Sequence, residues 1–180
     1  INLKELENLL KQKKALVSIM HANNEIGVLH PIKEIGELCK KYNSIFHSDV
    51  AQSIGTQKID VEEMNIDALS ISAHKIYGPK GVGALFISNS IKNTLRPLMS
   101  GGGQELNLRS GTLSPALCVG LGEACKEIID NIDDFVLHFK RLKSCLLTEL
   151  VNAKFEFNVN GSVEKRVPNS RLVKLNTSKN

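Results

Sequence analysis

Residues 68–88 read ALSISAHKIYGPKGVGALFIS. The first six alternate apolar and small polar side chains, the period of a half-buried strand. His74 and Lys75 stand at its exit, GPKGVG at 78–83 is rich in turn formers, and ALFI at 84–87 reads as a second strand. About ten residues separate the two strands. A parallel crossover takes a dozen or more, so this pair is expected to run antiparallel. A lysine held between two strong strands can lie at the edge of a core, where desolvation favours its neutral form and makes it a candidate Schiff-base nucleophile. The same features also describe a strand-end lysine in solvent, the commoner fate of this residue type.

Upstream, residues 2–14 carry Leu3, Leu6, Leu9 and Leu10 at helical spacing. Residues 15–20 form a short apolar strand, followed by a loop at 23–29. Pro31 opens a helix where its missing N–H costs little, with Ile32, Ile35, Leu38 and Cys39 as the apolar stripe. Residues 45–49 are the next strand, and 51–67 are mostly connection, with at most one helical turn near Glu62. Helix, strand, helix, strand, connection, strand, strand indicates an α/β sheet, parallel at first. Downstream, 88–108 is irregular, 113–131 and 133–153 read as two long helices, and 154–159 and 172–175 are strand candidates around the Asn160-Gly161 turn. A domain change is expected near 131–134.

Ligands of open α/β sheets sit outside the carboxyl ends of the strands. Asn23, Asn24, Asp49, Gln52, His74 and Lys75 all follow predicted strand ends. Three neighbouring strands would gather them at one sheet edge. Ser72 and His74, two apart, would share a face if the strand continued through them. Neither Gly101-Gly102-Gly103 nor the 78–83 turn is followed by the GK[ST] of a phosphate-binding Walker loop.

Four stretches resemble one family in order and spacing: MHANNEIG at 20–27, HSDVAQ at 47–52, SAHKIYGPKG at 72–81, and GGGQE at 101–105 with RSGT at 109–112. The chain resembles the cysteine desulfurases of the class V aminotransferase group, pyridoxal-phosphate enzymes of fold type I. The likeness covers nearly all of the chain, and its last motif pair favours the housekeeping iron–sulfur branch. It implies an α/β fold: part of the mixed, mostly parallel sheet of a large pyridoxal-phosphate-binding domain over residues 1–132, then the start of a small α+β domain over 133–180. Four of the family's seven strands fall here, so an internal fragment is expected.

By that resemblance Lys75 carries the cofactor, with His74 beside it in the catalytic group. Asp49 faces the pyridine nitrogen, Gln52 donates to the phenolic oxygen, and Asn24 reaches the cofactor oxygen and the substrate carboxylate. Ser72 and His74 bind the phosphate, and Thr112 contacts the phosphate of a partner subunit, which implies a homodimer. The activity implied is removal of sulfur from L-cysteine, giving L-alanine and a protein persulfide for an iron–sulfur scaffold, other sulfur acceptors and tRNA thiolation. The family's cysteine nucleophile and substrate-carboxylate arginine would lie beyond Asn180 and its ring-stacking histidine before Ile1, so the isolated chain is expected to be inactive. Leu106-Asn107 replaces the family's usual Arg-Gly. Two other readings stay open: another class V aminotransferase or lyase, and a non-catalytic truncated remnant or interaction module.

Composition narrows the partners. The chain has 180 residues, 42% hydrophobic, with a net charge of +4, as in a globular protein. Basic residues are scattered and only 4% are aromatic, unlike a nucleic-acid platform. No run approaches the roughly 20 apolar residues of a membrane span. No signal peptide is visible, and the chain starts at Ile1, which leaves a targeting segment open. A cytoplasmic location is expected, with the mitochondrial matrix as the alternative. Cys39, Cys118, Cys125 and Cys145 lack CxxC spacing and fall on helix-like stretches. They read as buried or half-buried structural thiols, with no metal site.

Overall fold

The computed structural model describes residues 1–170 and 172–175. Helix α1 (Leu3–Gln12) starts at Asn2, whose side-chain oxygen accepts from the Lys4 and Glu5 amides, satisfying two of the orphan donors of a helix start. Strand β1 (Leu16–Met20), helix α2 (Ile32–Lys41) and strands β2 (Ile45–Asp49), β3 (Ala68–Ser72) and β4 (Gly83–Ile87) follow. They form one sheet in the order β1-β2-β3-β4. The first three strands are parallel, and β4 runs antiparallel to β3, as the short connection requires.

Alternation along the strands sends Val17, Phe46 and Leu69 to one face. There they pack with Leu10 of α1 and Ile32, Ile35 and Cys39 of α2 in the main core. Gly36 of α2 packs so closely on the Met64 carbonyl that a Cβ there would lie 1.9 Å from its oxygen, so only glycine fits. The opposite face is polar: Ser18, His47 and Ser70 line up across three strands, with Ser18 Oγ 2.8 Å from His47 Nδ1 and Ser70 Oγ 2.7 Å from Nε2. A neutral imidazole has one donor and one acceptor nitrogen, and a hydroxyl answers either, so the ring is satisfied in both tautomers. At the other end of the strands Asp67 accepts from the Phe46 amide at 2.9 Å, Ser88 Oγ at 3.4 Å and Ser90 Oγ at 3.2 Å, tying the ends of β2, β3 and β4 together.

Residues expected to form two helices are a single helix, α3 (Pro115–Asn152), of 38 residues. Asn131-Ile132-Asp133 contains neither proline nor glycine, so nothing there breaks the hydrogen-bond ladder. Buried Ile128 and Ile132, with Phe135 and Val136, form a second apolar cluster with Ile54 and Ile76. Beyond α3, strands β5 (Phe157–Val159) and β6 (Val173–Leu175) pair antiparallel. The last residues of the expected small domain, 176–180, lie outside the described residues.

The cysteines do fall on helices, but only Cys39 is buried and Cys125 half-buried, while Cys118 and Cys145 are exposed. Cys118 and Cys145 lie on the outward face of α3, which no described element covers. Burial, and secondarily the charge of Asp67, push the Cys39 thiol up to about 11, and burial raises that of Cys125. Neither has the lowered pKa of an activated nucleophile.

Candidate active site

Three loops leave the carboxyl ends of β1, β2 and β3 side by side. Met20 lies opposite Asp49, and Asp49 opposite Ser70. The His21 amide donates to the Asp49 carbonyl at 2.8 Å, and the Val50 amide to the Ser70 carbonyl at 3.1 Å. The sheet thus brings the loop of Asn24, the end of β2 with Asp49 and Gln52, and the end of β3 with Ser72, His74 and Lys75 to one edge. Thr112 stands apart, exposed just before α3, and among the described residues no hydrogen bond ties it to that edge.

The first loop is built by Asn23. Its side-chain oxygen accepts from the Glu25 amide at 3.0 Å and the Ile26 amide at 2.9 Å, while its carbonyl accepts from Gly27 at 3.0 Å. This Asx turn leaves Asn24 exposed. By sequence Asn23 reads as an ordinary loop residue, although an Asn two and three residues before a turn's amides is the available signal.

Asp49 ends β2 with an exposed side chain, and its Oδ1 accepts from the Ala51 amide at 2.9 Å. That turn bond fixes the carboxylate without burying it. Gln52 is half-buried between Val50 and Ser53, both fully buried.

The third loop departs from expectation. Strand β3 stops at Ser72, and Ala73–Lys75 is a short 3-10 turn. The two-residue strand period therefore does not carry Ser72 and His74 to one face. His74 and Lys75 are both exposed, so the expected burial of Lys75 is absent here: no described element covers the carboxyl edge of β3 on that side. The turn itself is firmly placed. Ala73 and Ile76 are buried, and Ile76 packs on Ile128 and Ile132 of α3. Pro79 lies against Gly120 of α3, where a Cβ would come 2.5 Å from the Pro79 Cγ. Tyr77 between them has φ 65 and is 80% exposed. A bulky residue in the left-handed region costs on the order of 1 kcal/mol, and such strain tends to collect at functional loops.

Downstream, Glu105, Leu106 and Asn107 all have positive φ, of 50, 57 and 65. Asn107 is of the side-chain type that best tolerates this region after glycine. Gln104 Oε1 accepts from the Gly111 amide at 3.0 Å and joins the two halves of the GGGQE and RSGT motif pair.

The sequence motifs give His21 no role of its own. It is 7% exposed, and its Nδ1 has no partner among the described residues. Burial first, and the neighbouring His30, push its pKa down to about 4. The unfolded chain then binds a proton near 6.5 that the folded chain refuses, so stability falls as pH drops from about 6.5 to about 4. The expected loss is roughly 2 kcal/mol at pH 5 relative to neutrality, with His30, also lowered by burial, acting in the same direction. Urea unfolding at the two pH values checks this; His21→Gln is expected to remove most of the difference, and an unchanged difference would contradict the assignment.

Among the described residues no group of His, Cys, Asp and Glu could hold a metal ion, and no helix is long and apolar enough to cross a membrane.

The chain is similar in sequence and fold to known proteins. The chain is 51% identical over 168 residues to the mitochondrial cysteine desulfurase of Saccharomyces cerevisiae, covering 93% of this chain and 34% of that protein. It is 49% identical over the same length to the mitochondrial cysteine desulfurase of Eremothecium gossypii, with the same coverage of 93% and 34%. Its fold superimposes on the crystal structure of a NifS-like protein of Rickettsia africae with a TM-score of 0.89 at 39% identity, covering 96% of this chain and 48% of that one. The chain thus spans about a third of the length of these curated relatives. The aminotransferase class-V family profile matches residues 1–177, all three loops included, and by that match the chain belongs to the aminotransferase class-V family.

Proposed function

We propose that the protein containing this chain is a cysteine desulfurase that uses pyridoxal phosphate. The observation that carries the reading is the meeting of the Asn24, Asp49 and His74-Lys75 loops at one carboxyl edge of the sheet, in a chain about half identical to enzymes of that name.

The residues at the edge fit this cofactor. A carboxylate fixed by its own turn, an amide, hydroxyl and imidazole groups and a primary amine match a ligand with a basic ring nitrogen, a phenolic oxygen, a phosphate and an aldehyde. When bound, pyridoxal phosphate supplies an electron sink for charge that develops on the substrate. Asp49 would accept the N–H of the ring nitrogen and keep that nitrogen protonated. Gln52 would donate to the phenolic oxygen, Ser72 and His74 to the phosphate, and Asn24 to the cofactor oxygen and the substrate carboxylate. Lys75 Nζ would attach the cofactor and, when released, exchange protons with the substrate. Overall, L-cysteine and an enzyme thiol become L-alanine and an enzyme persulfide, so the sulfur atom moves and no external oxidant is needed. None of the four cysteines is assigned that thiol. The persulfide would supply iron–sulfur assembly and tRNA thiolation through acceptor proteins. Residues 1–132 would belong to the cofactor-binding domain and 133–180 to a smaller one, with the boundary inside α3. The mitochondrial relatives favour the matrix over the cytoplasm.

The test is to supply the whole protein with L-cysteine and a thiol reductant and to measure alanine and sulfide. Equal amounts of both are expected; alanine without sulfide, or transfer of the amino group to a keto acid, would contradict the reading. Thr112 would act across a homodimer. Thr112→Ala is expected to weaken cofactor binding by ~1.5–3 kcal/mol, one hydrogen bond to a charged group, as measured by cofactor titration of the dimer. Unchanged affinity would remove Thr112 from the site.

A further inference from the structure

The loop that carries Asn24 is held from a distance. Arg166 is 5% exposed, unusual for an arginine, whose guanidinium keeps its charge in a protein. Its Nη2 donates to the Ile26 carbonyl, 140 residues away in sequence, and to the Asn160 carbonyl at 2.7 Å. Burying a cation is costly unless its donors are answered, and Nη2 is answered here by backbone oxygens of two separate segments.

The backbone makes the same connection. Val28 and Arg166 form an antiparallel bridge. The Leu29 amide donates to the Lys165 carbonyl at 3.0 Å, and the Val167 amide to the Gly27 carbonyl at 2.9 Å. Gly27 has φ 70, and a Cβ on it would come 3.0 Å from Ser170 Oγ, so a side chain there would be strained and would press on Ser170. Residues 160–170, which follow α3, thus form a clasp over residues 26–29, immediately after Asn24.

We propose that Arg166 is a positioning residue for Asn24: through the Ile26 carbonyl it holds the Asn23 turn in the conformation that presents Asn24 at the sheet edge. The Asn24 part rests on the function proposed above, whereas the clasp does not. Asn23 closes the turn from inside and Arg166 fixes its exit from outside, so release of either end would let Asn24 wander. A long-range tie of this kind couples the region after α3 to the substrate end of the site.

The test uses the whole, cofactor-loaded protein with Arg166→Ala, Arg166→Gln and, as a control, Lys165→Ala, whose exposed side chain is outside the clasp. Amide hydrogen exchange is read at Glu25, Ile26 and Gly27, and steady-state kinetics with L-cysteine. Arg166→Ala is expected to speed exchange at these amides roughly tenfold or more, the loss of a charged hydrogen bond, while β2 and α2 keep their protection. KM for L-cysteine is expected to rise by a larger factor than kcat falls, and Lys165→Ala to change neither. If Arg166→Ala does not fold, Arg166→Gln is read by the same outcomes. Unchanged exchange at the three amides would overturn the clasp. Faster exchange with kcat and KM unmoved would overturn the link to Asn24. A wild-type protein that releases no alanine from L-cysteine would refute the proposed function, while the exchange result would still decide the clasp.

Discussion

Lys75→Ala in the whole protein is expected to lower turnover of L-cysteine by roughly 10³-fold or more, the upper part of the range for a group that moves protons in catalysis, with loss of covalent attachment added to it. The variant should still fold. Lys75 is exposed, and its turn is placed by its neighbours Ala73 and Ile76, the latter on Ile128 and Ile132; none of those contacts needs the amine. Some cofactor should still bind through Asp49, Ser72 and His74, without the absorbance of a lysine-attached cofactor. Steady-state assays and absorbance spectra of the purified variant check both statements. Turnover within tenfold of wild type would mean that another amine does this work.

Asp49→Asn is expected to have the next largest effect. At about 4 Å and an effective dielectric near 20, a carboxylate beside a pyridinium contributes roughly 4 kcal/mol before desolvation costs, so the loss of turnover has a ceiling of about 10³-fold. The substitution isolates the charge. Asn keeps a side-chain oxygen for the Ala51 amide, which Asp49 accepts from at 2.9 Å, so the turn and the stability of the apo-protein should change little. Cofactor binding is expected to persist while kcat collapses. A variant that retains near wild-type kcat would dismiss Asp49 as the partner of the ring nitrogen and leave it as a turn former.

The strand pattern made the sheet legible. Ten residues between β3 and β4 excluded a parallel crossover, and Ile32, Ile35 and Cys39 of α2 turned inward as their spacing requires. The sheet edge was legible for the same reason, because loops at the carboxyl ends of adjacent parallel strands must be neighbours. What stayed hidden depended on geometry that no local period encodes. The strand reading runs through Ala73 with His74 and Lys75 at its exit, yet the chain already turns into a 3-10 helix at Ala73, where Ala73 and Ile76 find burial. The sequence reads as two helices parted near Asn131; α3 runs through that point because one face is buried on Ile54 and Ile76 and the rest needs no cover to stay helical. Exposure of Cys118 and Cys145 has the same origin. Arg166 lay in a stretch with no motif, and its acceptor at Ile26 is far away in sequence.

On the proposed function, the carboxyl edge of β1, β2 and β3 holds pyridoxal phosphate on Lys75. Borohydride reduces the bond between a cofactor aldehyde and a lysine amine and makes it permanent, so reduction of the whole cofactor-loaded protein followed by peptide mapping reads the attachment point directly. Lys80, exposed five residues on in the glycine-rich turn, is the internal control. The expected result is a single tag on Lys75, with Lys80 unmodified; a tag on Lys80 or elsewhere, or a loaded protein with no reducible attachment, would contradict the assignment of Lys75.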